Sequence, residues 1–362
     1  MIGAPESFRR RILRWYRQSR RALPWRVPLG APRDARPDPY YVLVSEAMLQ
    51  QTQVNTVIPY FRTFIEAYPS IADLAAAGEQ DVLRRWQGLG YYSRARNLRA
   101  AARTVMQDFG GEVPRTAEQL RRLPGVGRYT AGAIASLAFD ERAAILDGNV
   151  ARVLCRIDRI ESDPRQRATQ EQLWARAEQL LPRRSAGDFN SSLMELGATI
   201  CTPRNPRCDA CPVRAHCAAR AAGVQPHIPP PRRREPSPLL RRCTFAIERR
   251  GRWLIEQRPA SGRWASLWQF LTIEPDEQAV SADWISRRLS LEVAPPRELG
   301  VVRHVLTHRR YEFAVYGCRA IGAEKINGTR QWVRLRDLRD YPMSRPHVRI
   351  AQMLSSSMSS DE

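Results

Sequence analysis

A mainly α-helical domain followed by a smaller α+β domain is the fold class that the sequence predicts, on three observations. Over the first two-thirds of the 362 residues, apolar residues recur at helical spacing between Pro and Gly breaks, and few stretches alternate as strands do. Gln225 to Pro238, "QPHIPPPRRREPSP", reads as a Pro-rich, basic linker. Beyond it, short runs rich in β-branched and aromatic residues take over. A chain this long can bury two cores, and 43% hydrophobic with 26% charged residues is a globular composition.

The elements follow in order. The N-terminal stretch lacks the apolar core of a secretory signal; it would pass for an amphipathic transit peptide, but Glu6 and the stripe Phe8, Ile12, Trp15, Tyr16 suit a first core-facing helix better. "YYVLVSEAMLQQTQV" is a mostly apolar helix. Ala72–Leu89, Ser93–Phe109 and Gln170–Leu181 carry helical periodicity. After the linker, Cys243–Pro259, Leu267–Ile273 and Arg309–Ala320 read as strands, with one helix near Ala282–Ser290. The boundary falls near residue 230. The expected division is a domain over 1–224, a linker over 225–240, a domain over 241–354 and a disordered tail over 355–362. No internal repeat is visible.

The formal net charge of +21 points to a polyanionic partner, with DNA or RNA ahead of an anionic membrane. The plain alternative is a solvated Arg-rich surface. No apolar run is long enough to span a bilayer. Nearly all the positive charge is Arg, and Lys325 is the only lysine.

Four of the seven cysteines, Cys201, Cys208, Cys211 and Cys217, form C-x6-C-x2-C-x5-C. Four thiolates this close suit a [4Fe–4S] cluster or a Zn(Cys)4 site. Zinc sites more often pair two C-x2-C knuckles across a longer loop; only one occurs here, which favours iron–sulfur. Arg204, Arg207 and Arg214 around it suggest that the metal folds a DNA-facing loop. Cys155, Cys243 and Cys318 read as ordinary buried residues.

"LPGVG" between two helical runs allows a tight turn, Gly125-Val126-Gly127, with backbone N–H groups at a helix N-terminus. That geometry binds a phosphate without reading a base, although a plain helix–turn–helix connection would look similar. "LDGNV" places Asp147 at a turn or helix start, where Asp is also a common N-cap. Glu46 is a lone acid among Val44, Ala47, Met48 and Leu49. A solvated face would be unremarkable; a partly buried carboxyl would have a raised pKa suited to donating a proton.

"SEAMLQQTQV", "GLGYYSRARNL", "LPGVGRYTAGAI", "LDGNV" and the cysteine cluster, in this order across most of residues 8–220, resemble the MutY family of adenine DNA glycosylases in the helix–hairpin–helix superfamily. The C-terminal third is similar, more weakly, to that family's Nudix-like recognition domain. It lacks the G-x5-E-x7-R-E-x2-E-E box, so pyrophosphohydrolase activity is not expected. The resemblance implies two helical lobes, with hairpin and [4Fe–4S] cluster flanking a cleft that receives a flipped adenine. It implies base excision repair on double-stranded DNA, removing adenine mispaired with 8-oxoguanine or guanine, by a cytoplasmic, nucleoid-associated monomer of bacterial type.

Carried over by position, Glu46 would protonate adenine N7, and Asp147 would stay ionised, stabilise the oxocarbenium-like sugar and trap it transiently. Asn149 would help hold that site. Tyr129 would line it and hydrogen-bond near Asp147, and Arg26 in "LPWR" would approach the adenine pocket. Gln51, Thr52, Leu89 and Tyr91 would wedge into the stack around the orphaned 8-oxoguanine. Leu306, Thr307 and His308 align with a Phe-Ser-His loop that reads 8-oxoguanine. Three departures stand out. Leu306 lacks the aromatic contact. Ser191 stands where relatives place Gln or Glu against adenine. "VPLGAPRDARPDPY" after "LPWR" is longer than usual.

Relatives such as endonuclease III carry a lysine at the Tyr129 position, whose amine attacks the sugar and cuts the strand. With tyrosine there and no lysine in the helical domain, base excision without efficient strand cleavage is expected. Two other readings are a bifunctional glycosylase/lyase on oxidised pyrimidines, opposed by the missing lysine and by Glu46, and a catalytically silent DNA-binding module, opposed by intact Glu46 and Asp147.

Overall fold

The computed structural model describes residues 5–32, 34–231, 237–275, 280–306, 308–321 and 328–358. Two compact units result, one of Met1–Ala76 with Asn97–Arg233 and one of Ala77–Arg96 with Arg234–Glu362. The division is not collinear with the sequence, as successive domains would be: twenty residues from the helical part of the chain, Ala77–Arg96, cluster with the C-terminal unit.

The helices run α1 Pro5–Ser19, α2 Pro39–Leu49, α3 Val54–Ala67, α4 Ile71–Ala76, α5 Glu79–Arg85, α6 Ser93–Asp108, α7 Ala117–Leu120, α8 Arg128–Phe139, α9 Gly148–Asp158, α10 Arg167–Leu180, α11 Ala186–Thr199 and α12 Ala218–Ala221. The single helical run read over Ala72–Leu89 is broken into α4 and α5, because Gly78 takes an extended conformation as the N-cap of α5. In the first unit Phe8 and Ile12 of α1 meet Val150, Leu154, Leu173, Phe189 and Leu193 in one apolar core, with Trp15 at its margin. The stripe on the first helix is therefore a packing face.

The second unit holds a six-stranded mixed sheet of β1 Leu239–Arg249, β2 Arg252–Gln257, β3 Trp268–Ile273, β4 Arg297–Leu306, β5 Arg309–Arg319 and β6 Arg330–Val333, in the order β4-β5-β1-β3-β2-β6. Among the six described strands, only β1 and β5 pair in parallel. Alternate residues of β1 and β5 face opposite sides. Phe245 and Ile247 meet Trp284 and Ile285 of α13, Ala282–Leu289. Phe313 and Val315 meet Ile350 and Leu354 of α14, Arg345–Met358.

Strands β4 and β6 and helix α14 are absent from the sequence reading. β4 is an edge strand whose outward residues are charged or exposed, and β6 spans four residues, so neither alternates cleanly. Two expectations are corrected: β1 begins inside the stretch read as linker, and α14 continues to Met358 into the stretch read as a disordered tail. Among the described residues no helix is long and apolar enough to cross a membrane.

Helices α9 and α11 cross at Gly197. A Cβ there would lie 2.7 Å from the Asn149 Cβ and 3.0 Å from the Asn149 carbonyl oxygen. Gly197→Ala is expected to cost about 1–3 kcal/mol through this overpacking. Chemical denaturation is the check; an unchanged midpoint would mean that α9 gives way freely.

Candidate active site

Glu46 sits on α2, whose start is set by Asp38: its carboxylate accepts the Tyr40 N–H at 2.8 Å, with Pro39 at the first helical position. The long segment after Arg26 ends in this cap. It is held by Arg20 Nη2 donating to the Pro28 carbonyl at 3.0 Å and by an Arg36–Asp140 ion pair at 3.2 Å. Helix α2 is apolar on several sides, with Val42, Leu43, Val44 and Met48 buried, so it has no solvated face to offer Glu46. That residue is only 5% exposed. Burial pushes its carboxyl up to about 7, and the charge of Asp147 adds to the rise; the Tyr129 hydrogen bond and Arg26 oppose it without cancelling it.

Asp147 caps α9. Its Oδ1 accepts the Val150 N–H at 2.7 Å and its Oδ2 accepts the Asn149 side-chain amide at 3.1 Å. The cap read in "LDGNV" is present, and the candidate catalytic carboxylate is the same group. Burial raises its pKa, while the Val150 and Asn149 donors and the Arg152 charge favour the ionised form. Burial raises both carboxyls, and Asp147 has more donors that favour its ionised form.

Tyr129 lies in the first turn of α8, which follows the hairpin. Gly125 has φ +77°, and a Cβ on it would lie 2.7 Å from the Asn97 Cβ, so no other residue fits the turn. Gly127 caps α8 without a side-chain bond, leaving the first-turn N–H groups at the hairpin surface beside Val126. The Tyr129 hydroxyl lies beside the Glu46 and Asp147 carboxyls and donates to Met194 Sδ at 3.5 Å. Burial and the two carboxylates raise the phenol well above its ordinary range, so it stays neutral and donates.

Arg26 is held by a residue that the sequence reading missed. Glu195 on α11 is fully buried and bonds Arg26 Nη2 at 2.9 Å and Arg21 Nε at 2.7 Å. Burial works against its charge, yet the Arg21 bonds and the Arg26 and Arg21 charges keep its pKa below the ordinary value. Ser191 is buried one turn earlier on the same helix. An acid in an apolar helix was the signal used for Glu46, and "SSLMELGAT" carries the same signal for Glu195.

The four cysteines wall one enclosed cavity with Val153, Arg156 and Ile200. Their four thiols are the donor set of an iron–sulfur cluster or of zinc. Two arginines of α9 reach this loop. Arg152 donates to the Cys201 carbonyl from Nε and to Asn149 Oδ1 and the Gly197 carbonyl from Nη2, each at 2.8 Å. Buried Arg156 donates to the Thr202 carbonyl at 2.7 Å and stands 3.3 Å from Cys201 Sγ. A groove of about 610 Å³ runs past Asp147, Arg152, Arg165 and Arg204.

The remaining predicted residues divide between the units. Gln51, exposed with φ +59°, and half-buried Thr52 follow α2 in the first unit. In the second, Leu89 is buried and Tyr91 is 46% exposed. Leu306 ends β4, His308 is exposed in the following turn, and Thr307 lies outside the described residues. Tyr91, Leu306 and His308 share a groove of about 530 Å³ with Arg96, Arg263 and Arg345.

Residues 44–179 match the model of the HhH-GPD superfamily of base excision DNA repair proteins, 201–217 that of the iron–sulfur binding domain of endonuclease III, and 243–353 that of a NUDIX domain. An adenine DNA glycosylase of Rattus norvegicus is 39% identical over 396 aligned residues, covering 95% of this chain and 77% of that protein. One of Homo sapiens is 41% identical over 369, covering 87% and 67%. Among solved structures, a thermostable thymine-DNA glycosylase is similar with TM-score 0.52 at 32% identity, over 60% of this chain and 97% of that one.

The raised Glu46 carboxyl makes stability depend on pH. Its proton is held to about pH 7 in the folded chain, against an ordinary value of 4.5. The stabilisation is complete below that ordinary value and is lost as pH rises through about 7. Glu46→Gln removes the ionisable group, so its stability relative to the parent should rise by about 3 kcal/mol between pH 4 and pH 8. Denaturant midpoints at the two pH values check this; a constant difference would show an ordinary carboxyl.

Proposed function

Because the chain belongs to the adenine DNA glycosylases, hydrolases of N-glycosidic bonds in base excision repair, we propose that it excises adenine opposite 8-oxoguanine or guanine from duplex DNA by base flipping, without efficient strand cleavage. The observation that carries the chemistry is a pair of buried carboxyls, Glu46 raised to about 7 and Asp147 accepting from the Val150 N–H and the Asn149 amide. A carboxyl titrating near 7 is matched to proton donation at neutral pH. Glu46 passes its proton to adenine N7, and the C1′–N9 bond breaks with its electron pair leaving on the base. The Asp147 carboxylate faces the oxocarbenium-like sugar, and water completes hydrolysis. Tyr129 keeps Glu46 oriented, Asn149 does so for Asp147, and Arg26 closes the adenine pocket with Ser191 beside it.

Support for the absence of a lyase step comes from residue chemistry. Tyr129 offers a neutral phenol, and the first unit contains no lysine to form a Schiff base. The hairpin Gly125-Val126-Gly127 holds a phosphate by its backbone N–H groups. Cys201, Cys208, Cys211 and Cys217 hold the iron–sulfur cluster, of [4Fe–4S] type by the four-thiolate set, and when bound the cluster cross-links their loop. In the second unit, the groove of Tyr91, Leu306 and His308 receives the base opposite adenine, with Leu89 beside Tyr91 in the chain. The reading places the protein as a monomer in the cytoplasm.

Asp147→Asn and Glu46→Gln should each abolish single-turnover adenine release from A opposite 8-oxoguanine while keeping duplex affinity, because both roles arise in the transition state. Activity within about tenfold of the parent for either variant would end the assignment. Borohydride should trap little protein–DNA adduct with the parent and more with Tyr129→Lys; efficient trapping by the parent would show a lyase. The purified protein should contain iron and little zinc, and a colourless zinc-loaded protein would overturn the cluster.

A further inference from the structure

The groove in the second unit contains an aromatic side chain in an unusual backbone state. Trp264 has φ +54°, and two residues on either side Gly262 and Ser266 have φ +83° and +62°. A bulky residue in the left-handed region persists only where its surroundings over-determine it, and such residues gather at ligand sites. Here the surroundings are explicit. Arg96 Nη1 donates to the Ala265 carbonyl at 2.6 Å, and the Gln80 and Gln257 amides donate to the Ser266 carbonyl at 3.0 and 3.1 Å. The loop is thereby bonded to residues of α5, α6 and β2.

The Trp264 ring lines the groove and packs 5.2 Å from the Tyr311 ring. Tyr311 in turn stacks on Phe313 at 5.7 Å and 18°. Tyr311 and Phe313 are buried, whereas Trp264 is only partly so. It is the outermost ring of a column rooted in the sheet. Leu306 lines the same groove and contributes no π-face. With arginines and histidines on the walls, the groove suits a nucleobase next to its phosphates.

We infer that Trp264 is the stacking platform for the base opposite the target adenine, doing from the 262–266 loop what an aromatic at position 306 would do from the β4–β5 turn. This rests on the reading of the groove as the seat of that base.

The test uses the full chain carrying Asp147→Asn, so that adenine stays in place, and measures affinity for duplexes with A opposite 8-oxoguanine, G or T. Base–aromatic stacking predicts that Trp264→Leu weakens binding of the 8-oxoguanine duplex by about tenfold more than that of the A·T duplex. Trp264→Phe should keep most of the affinity. Leu306→Phe should restore the Trp264→Leu chain and add less than about threefold to the parent, whose platform is already present. A gain of about tenfold or more from Leu306→Phe in the parent would overturn the inference, and that result does not depend on how well Trp264→Leu folds. Trp264→Leu without selective loss, while Tyr91→Ala or His308→Ala loses affinity selectively, would overturn the Trp264 role and keep the groove reading. No selective loss from any of the three would remove the groove reading itself.

Discussion

The helical unit depends on one hydrogen-bonded terminus, the start of α9. Asp147 closes it by accepting the Val150 N–H at 2.7 Å and the Asn149 amide at 3.1 Å. A helix N-terminus favours the ionised form of a capping carboxylate, because it presents uncompensated N–H groups and a positive dipole end. The cap donors thus oppose the rise that burial imposes on the Asp147 carboxyl. The same helix binds the cysteine loop through Arg152 and Arg156. The capping carboxylate and the cysteine loop are in this way oriented by one helix, and Arg152 links them, with Asn149 on one donor and Cys201 on another.

The other buried acids are set apart by their partners. Glu46 is desolvated on α2 and retains a proton to about pH 7. Glu195 is equally buried but neutralised by two guanidinium groups, so it stays charged and holds Arg26. Two buried acids thus reach opposite states through their partners, one with a single phenol and one with two arginines. Glu46 retains a proton near neutral pH, whereas Glu195 stays charged and holds a cation.

The second unit follows a different logic. Ala77–Arg96 leaves the helical part of the chain to join it, and the groove that includes Tyr91 and Arg96 is completed by residues near 264 and 306. Residues of one groove wall are therefore distant in sequence from those of the other, and no local pattern announces them. The strained Trp264 loop is held by long-range bonds from Gln80 and Arg96, which stabilise a conformation its own sequence does not favour.

Much was nevertheless legible from sequence. Helical spacing identified α1, α6 and α10, and the alternating runs identified β1, β2, β3 and β5, because burial of one face leaves a period in the residues themselves. Motif chemistry singled out Glu46, Asp147, Tyr129 and the four cysteines, since an isolated acid in an apolar helix and crowded thiols are unusual locally. β4, β6 and α14 escaped, being an edge strand, a four-residue strand and a helix in a segment of mixed polarity. The sequence by itself determined which groups are available: two acids, a phenol in place of an amine, a thiolate set and an excess of arginine. Tertiary structure alone decided their states and partners, such as the Tyr129 bond to Glu46, the Glu195–Arg26 pair and the placement of Trp264. Protonation and orientation depend on desolvation and on neighbours tens to hundreds of residues away, and only the folded chain brings those together.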